Sequence, residues 1–300
     1  MDYEETLMIK TTWCYYIESM TQQAIAEKLG ISRMRVIKLL EKARAQNLIQ
    51  FKIRSDASHR MELEQKIMEK YDLDDIFLVP SLSDNINETV ARAAALYIGD
   101  RLQSNAFINI GFGDTTSRTL NNLVLPSEAH ISLVSLTGGV SYYMSASTGG
   151  TDATRYILPA PFIASSAEMA DAICREPSVK EILCLANLAS MTVVGIGGVT
   201  ERATVVKDGK LTANDLLMLQ MKGAVGDLLG HFVDKDGNPI DFPLHNRIIS
   251  TPLNSLKRFK NVIGVAGGVE KASAINAALK TSCLDVLITD EDTAEHLLTL

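Results

Sequence analysis

Between Asp72 and the end of the chain, six short apolar runs rich in β-branched residues alternate with helical patterns, and no other feature restricts the fold as much. The runs are IFLV (76–79), FINIG (107–111), ISLVSL (131–136), TVVGIG (192–197), NVIGVAGG (261–268) and DVLIT (285–289). Between and after them, helical spacing of apolar residues occupies 87–102, 115–123, 166–174, 178–189, 271–279 and 290–298. Strands that are largely apolar suit a parallel sheet covered by helices on both faces. Strand and helix in alternation predict an α/β domain with a largely parallel sheet. The expected organisation is a small head at 1–56, a connecting helix at 57–71 and this α/β body at 72–300.

Open parallel sheets take ligands beyond the carboxyl ends of their strands, where loops lead into helices. Three such loops carry suitable chemistry. Gly111-Phe112-Gly113-Asp114-Thr115-Thr116 follows FINI and opens a helix. Its glycines let the backbone approach an anion, the helix start offers free N–H groups, and Thr115 and Thr116 add hydroxyls. It has neither the Gly-Lys-Ser/Thr of a P-loop nor the third glycine of a dinucleotide fingerprint, and a plain tight turn has the same composition. Val265 to Lys271 repeats the pattern of strand, glycines and helix start, with Lys271 in a first turn where the helix dipole disfavours a cation; a bound phosphate would offset that cost. The third stretch, 137–152, holds Gly139 and Asp152 among glycines and small hydroxylated residues. Polyol sites use such residues, and so do mobile surface loops. Asp227 offers a carboxylate to sugar hydroxyls and Arg247 a bidentate contact to phosphate; each serves equally well in a surface ion pair.

Ahead of this body, residues 21–44 read TQQAIAEKLGISRMRVIKLLEKAR. Thr21 is placed to cap a helix whose stripe is Ala24, Ile25 and Leu29. Gly30 permits a left-handed turn, Ile31 plugs the core, and Ser32 caps a second helix with Val36, Ile37, Leu39 and Leu40 inward. Arg33, Arg35, Lys38 and Lys42 occupy its other faces. Helix, tight turn and basic helix start form the pattern of a helix-turn-helix, whose second helix enters the major groove of double-stranded DNA. Arg33, Arg35 and Lys38 are the expected DNA contacts, with Thr21, Gln22, Gln23 and Ser32 at the two helix starts. An earlier helix at 4–20 is expected to face inward with Leu7, Trp13, Tyr16 and Ile17. The alternation of Asn47 to Ile53 predicts a strand that would make a wing, and a helix over 57–71 has Met61, Leu63, Ile67, Met68 and Tyr71 as its apolar face. That helix serves either to pack on the body or to pair with a second subunit.

The net charge of −7 suits a DNA binder only when it is divided. Residues 1–60 hold ten Lys/Arg against seven Asp/Glu, a net +3, which leaves −10 for the other 240 residues. A basic head on an acidic body fits a protein that touches DNA at one end. No apolar run approaches a membrane span, and the acidic start MDYEETLMIK lacks the pattern of a signal peptide, so a cytoplasmic protein is expected. Cys14, Cys174, Cys184 and Cys283 have no metal-binding spacing and are expected as buried, reduced thiols.

TQQAIAEKLGIS, IGFGDTT, LTGGV, LPAPFIASS, GAVGDLLGHF, VAGGVEKASAI and LITDEDTA stand in the chain in this order. With them the chain resembles the SorC/DeoR family of bacterial sugar-responsive transcriptional regulators over nearly its whole length. The resemblance implies a winged helix-turn-helix joined to an effector domain similar to phosphosugar isomerases, a homo-oligomer (dimer or tetramer), and control of operator binding by a phosphorylated sugar or polyol, with no cofactor or metal. It places Gly113, Asp114, Thr115 and Thr116 in a phosphate loop, makes Lys271 a phosphate contact, and sets Asp227 and Leu229 against the sugar-like part of the ligand. Two positions depart from the nearest family pattern: Asp152 stands where Asn is found, in a segment one residue shorter, and Arg247 replaces an acidic residue, as is more usual in the wider family. Both exchanges alter which hydroxyls or phosphates fit. The expectation is a regulator, a repressor of sugar or polyol uptake or catabolism genes, and not an enzyme. A sugar-phosphate isomerase with a vestigial head would share the fold, but isomerisation needs a base at the substrate C–H, and Asp227 and Asp152 have no identifiable acid partner.

Overall fold

The computed structural model describes residues 3–46, 48–49, 55–81, 85–124, 130–140, 143 and 153–300. The chain divides into two compact units, Met1–Ser58 and His59–Leu300.

The head holds α1 (Tyr3–Tyr16), α2 (Gln22–Leu29) and α3 (Arg33–Ala45). Both helix starts are capped as their sequence dictates: Thr21 Oγ1 accepts from the Ala24 N–H at 3.2 Å, and Ser32 Oγ from that of Arg35 at 3.3 Å. Gly30 closes α2 in the left-handed region at φ 64°. Among the described residues this small unit has two apolar clusters, one around Cys14, Ile25, Val36 and Leu40 and one around Leu7, Met8, Leu39 and Ala43. Ile37 is only half-buried. The first helix departs from expectation. It ends at Tyr16, and its buried side is Leu7, Met8, Thr11 and Cys14, the side that meets α2 and α3, while Trp13 and Ile17 are 57% and 64% exposed. Of the expected wing, only Leu48 and Ile49 fall within the described residues; they form a bend, and Ile49 packs on the second cluster.

In the body, α4 (Ser55–Tyr71) buries Leu63 and Ile67 against Leu73, Ile76 and Leu78, and Tyr71 donates to Asn276 Oδ1 at 2.8 Å. The helix therefore packs on the body, and Met61 alone of its apolar face is largely exposed. After it come β1 (Asp75–Val79), α5 (Ile86–Gly99), β2 (Ala106–Ile110), α6 (Asp114–Asn122), β3 (Ile131–Ser135) and β4 (Ala153–Tyr156). The second half adds α7 (Ala167–Arg175), α8 (Pro177–Leu185), β5 (Met191–Gly198), α9 (Ala213–Met221), β6 (Gly226–Leu228) and β7 (His231–Val233). The chain closes with β8 (Val262–Val265), α10 (Ala272–Lys280), β9 (Val286–Asp290) and α11 (Glu291–Thr299). The sheet runs β1-β9-β8-β5-β2-β3-β4, and every neighbouring pair in that path is parallel. The antiparallel hairpin β6–β7 hangs from the end of β5, with Gly197 opposite Asp227.

This order fixes the site. From β2 the chain moves outward through β3 and β4; from β5 it moves the other way through β8 and β9. The connections leaving β2 and β5 part at their carboxyl ends, and such a switch point leaves a crevice open for a ligand. The six expected strands are all present. Three others are not visible as apolar runs: β4 reads ATRY, and β6 and β7 have three residues each.

The cysteines are only partly as expected. Cys14 and Cys283 are buried, Cys174 is intermediate and Cys184 exposed, since the latter two lie on short surface helices, α7 and α8.

Candidate functional site

A cavity of about 500 Å³ opens at the β2/β5 crevice. Glycines make the room. A Cβ on Gly197 would stand 1.9 Å from Asp227 Oδ1, and one on Gly111 2.7 Å from Leu229 Cδ2. Asp227 and Leu229 enter through the β6–β7 hairpin. Its two turn residues, Leu229 and Gly230, both have positive φ, 54° and 84°, as in the type I′ turn of tight hairpins. Leucine is strained in that region, where Asn or Gly is usual. Asp227 holds the turn by accepting the Gly230 N–H on Oδ2 at 2.9 Å, and Leu229, 2% exposed, lies against the cavity. Burial pushes the Asp227 carboxyl up to about 6, against the opposing effect of the Gly230 N–H.

The start of α6 forms another wall. Gly113, at φ 142°, precedes the helix, and its carbonyl accepts from Thr116 Oγ1 at 2.9 Å. The first N–H groups of such a helix have no intrahelical acceptor. Gly113, Asp114 and Thr115 line the cavity. Thr116 is buried behind them, its hydroxyl spent on the turn.

A chain of polar contacts also borders the cavity. Lys271 Nζ donates to Asn87 Oδ1 at 3.2 Å, and Asn87 Nδ2 donates to Asp114 Oδ2 at 3.1 Å. Arg118 Nε bridges both Asp114 oxygens at 3.0 Å, and its Nη1 reaches Glu88 Oε2 at 3.1 Å. Hydrogen bonding to Asp114 and then Glu88 raises the Arg118 pKa, and Arg118 in turn lowers that of Glu88. Asp114 thereby accepts from both Arg118 and Asn87 while its carboxylate still lines the cavity. Burial lowers the Lys271 pKa, Lys207 adds like-charge repulsion, and Glu270, Asp114 and Asp290 oppose. Its hydrogen-bond acceptor among the described residues is a neutral amide.

Lys271 sits on a single 3-10 turn (Val269–Lys271) just before α10, not within the helix. Gly139 and Arg247 are not on the cavity. The Gly138-Gly139 segment serves packing: a Cβ on Gly138 would meet Pro161 O at 2.2 Å, and the Gly139 N–H bonds Ala160 O at 2.8 Å. Arg247 Nε donates to Ala164 O at 2.9 Å. Asp152 lies outside the described residues. Several cavity residues were not expected, Asn87, Arg202 and Lys207 among them. Asn87 enters at the first turn of α5, and Arg202 and Lys207 come from the loop and short turn after β5. The rule that flagged the loops after FINI and NVIGV applies equally to the one after TVVGIG, and it would have found both cations.

On the head, Arg33, Arg35 and Lys38 are exposed along the start of α3. Lys42 instead pairs with Glu4 at 2.9 Å, which lowers the Glu4 pKa, with Arg35 adding to the effect. Thr21 and Ser32 spend their hydroxyls as caps, Gln22 is half-buried, and Gln23 donates to Glu27 at 2.9 Å.

Residues 55–299 match the Sugar-bind family model, a sugar-binding domain, and residues 12–46 match Sigma-70, region 4. The transcriptional regulator LsrR of Klebsiella pneumoniae subsp. pneumoniae is 36% identical over 304 residues, covering 99% of this chain and 94% of its own. LsrR of Escherichia coli K12 is 37% identical over 302 residues, covering 98% and 95%. The chain belongs to the SorC/DeoR family of sugar-binding transcriptional regulators. Solved SorC/DeoR-type structures share the fold. The sugar-binding domain of a transcriptional repressor from Vibrio fischeri has a TM-score of 0.71 at 27% identity, covering 80% of this chain and 98% of that one. The full-length sorbitol operon regulator SorC from Klebsiella pneumoniae has 0.69 at 24%, covering 99% and 100%. As a SorC/DeoR member the chain is a transcriptional regulator with a helix-turn-helix head and a sugar-binding domain; its relatives are named regulators, not enzymes. Among the described residues no helix is long and apolar enough to cross a membrane.

Proposed function

We propose that the effector is a phosphorylated sugar or polyol, that it binds in the β2/β5 cavity, and that it changes the affinity of the head for operator DNA. Lys271 carries the reading. A desolvated ammonium whose hydrogen-bond acceptor is a neutral amide is costly to bury; Glu270, Asp114 and Asp290 offset that cost only in part, and a phosphate would offset it further. The N–H groups opening α6 and the Thr115 hydroxyl complete an anion cradle, with Asn87 orienting Lys271. Asp227, buried in the β6–β7 hairpin, accepts from sugar hydroxyls, and Leu229 packs on the carbon skeleton. Asp152 and Arg247 are linked to this site by the family resemblance and Gly139 by loop composition alone. The protein works as a homo-oligomer, dimer or tetramer, in the cytoplasm, as a repressor of genes for sugar or polyol uptake or catabolism, and requires no cofactor.

Control of this kind needs ligand binding that differs between two arrangements of the protein. A ~100-fold change in operator affinity corresponds to a coupling of about 2.7 kcal/mol. The test is a thermal-shift screen of the full chain against pentose, hexose and tetritol phosphates and their unphosphorylated counterparts, since a ligand of the folded state raises its melting temperature. Only phosphorylated compounds are expected to stabilise, and Lys271→Ala is expected to lose the shift while keeping DNA binding. Equal stabilisation by the unphosphorylated sugar, or an unchanged response in Lys271→Ala, would overturn the reading.

A further inference from the structure

The recognition helix exposes an apolar side chain that nothing described above uses. α3 buries Val36, Leu39, Leu40 and Ala43. At about 100° per residue, the direction opposite that buried side is occupied by Met34, Lys38, Glu41 and Ala45. Met34 is 62% exposed and joins neither apolar cluster of the head. Arg33 and Arg35 stand about 100° to either side of it, and the first turn of α3 carries no acidic residue.

A recognition helix lies with its packed side on its own domain and its opposite side toward the floor of the groove. The residues on that opposite side reach base edges, and those on its flanks face the two phosphate walls. Charge alone would rank Arg33 and Arg35 as the sequence readers. The geometry ranks them as flanking groups and puts Met34 and Lys38, one turn apart, at the centre. An exposed methionine between cations has an apolar counterpart in the major groove, the thymine 5-methyl, while a lysine ammonium donates to guanine O6 and N7. Four residues of helix advance ~6 Å, close to two base steps of ~3.4 Å. Glu41 is the first carboxylate on this side, about one turn beyond Lys38.

We propose that Met34 and Lys38 are the base-reading pair of this regulator, that its DNA site carries a thymine within about two base pairs of a guanine in one groove face, and that Arg33 and Arg35 hold the flanking phosphates. Met34 packs on the thymine methyl, Lys38 donates to the guanine, and the arginines set affinity without setting sequence. This inference rests on the helix-turn-helix and is independent of the ligand reading.

The experiment selects sites for the full-length protein from a randomised DNA duplex pool, then titrates the selected duplex with each thymine replaced in turn by deoxyuridine, which lacks only the methyl. One substitution is expected to weaken wild-type binding about fourfold, the worth of one buried methyl. Met34→Ala is expected to bind the thymine and uracil duplexes alike and to return a motif relaxed at that position alone. Met34→Leu, which keeps an apolar contact, is expected to retain the preference. Lys38→Ala relaxes the guanine, whereas Arg33→Ala and Arg35→Ala weaken all sequences equally and lower the salt dependence. Unchanged melting temperatures keep folding out of the result, since all four side chains are exposed. A wild type indifferent to deoxyuridine at every thymine, a Met34→Ala that returns the wild-type motif, or a motif lost instead through Arg33 or Arg35 would each overturn the proposal.

Discussion

The head and the body handle positive charge in opposite ways. On the head, Arg33, Arg35 and Lys38 stand in water, where each is cheap to keep charged and individually weak because solvent and salt screen it. In the cavity, Lys271 is desolvated beside a neutral amide, and Asp227, 5% exposed, is a carboxylate held in low dielectric. A polyanion is met by several hydrated cations whose contributions add. On the proposed reading the effector's phosphate meets Lys271, a cation that the fold has already desolvated. The same residue type thus suits two tasks according to how much water surrounds it.

The contrast yields predictions of decreasing size. The largest concerns Asp227. Its folded pKa of about 6 lies above the ordinary 3.8 of an aspartate, so the folded state holds the proton more tightly between those values. Stability attributable to this group therefore falls as pH rises from about 4 to 6 and stays low above, by up to about 3 kcal/mol. Asp227→Asn is expected to match wild type near pH 4 and to melt higher at pH 8. His231 works the other way: burial lowers its pKa to about 4, so its contribution rises with pH over roughly 4 to 6.5. Only the difference between variant and wild type isolates the carboxylate, and a difference independent of pH would show that Asp227 is solvated like the head cations.

Gly197→Ala comes next. Its methyl would overlap Asp227 Oδ1, and a loss of roughly 2 kcal/mol in urea unfolding is expected. Combining it with Asp227→Ala should restore most of that loss; equal costs in both backgrounds would mean that the close approach is not what requires glycine. On the head, Ser32→Ala removes the cap of α3 and is expected to cost about 1 kcal/mol, with a matching loss of DNA affinity because the cationic turn frays. The smallest effect is that of Arg35→Ala. Binding weakens modestly, and the slope of log affinity against log salt falls by about 1. A variant with an unchanged slope would mean that Arg35, like Lys42, is already paired on the protein.

Much of the fold was legible in the sequence because its signals are local. The caps Thr21 and Ser32 and the turn at Gly30 act within a few residues of themselves, and the six apolar runs announce strands whatever their neighbours. The inward side of α1 was not legible. Trp13 and Ile17 are more hydrophobic than Thr11, yet Thr11 is buried, because it returns its hydroxyl proton to Leu7 O at 2.8 Å and faces the packed side. β4, β6 and β7 escaped for a related reason: too short or too polar to signal alone, they are strands by virtue of the partners they pair with.

The capped, basic helix-turn-helix, the α/β body, and the glycine loops on which Gly113 and Lys271 are carried all follow from spacings of a few residues. Tertiary structure decided which loops share a cavity. The order β1-β9-β8-β5-β2-β3-β4 brings Asn87, Gly113, Arg202, Asp227 and Lys271 together and leaves Gly139 and Arg247 off the cavity. It decided likewise that Asp114 is bound to Arg118 and that Lys271 is desolvated. Burial and partnership belong to the groups that surround a residue, and those groups come from strands far away in the chain.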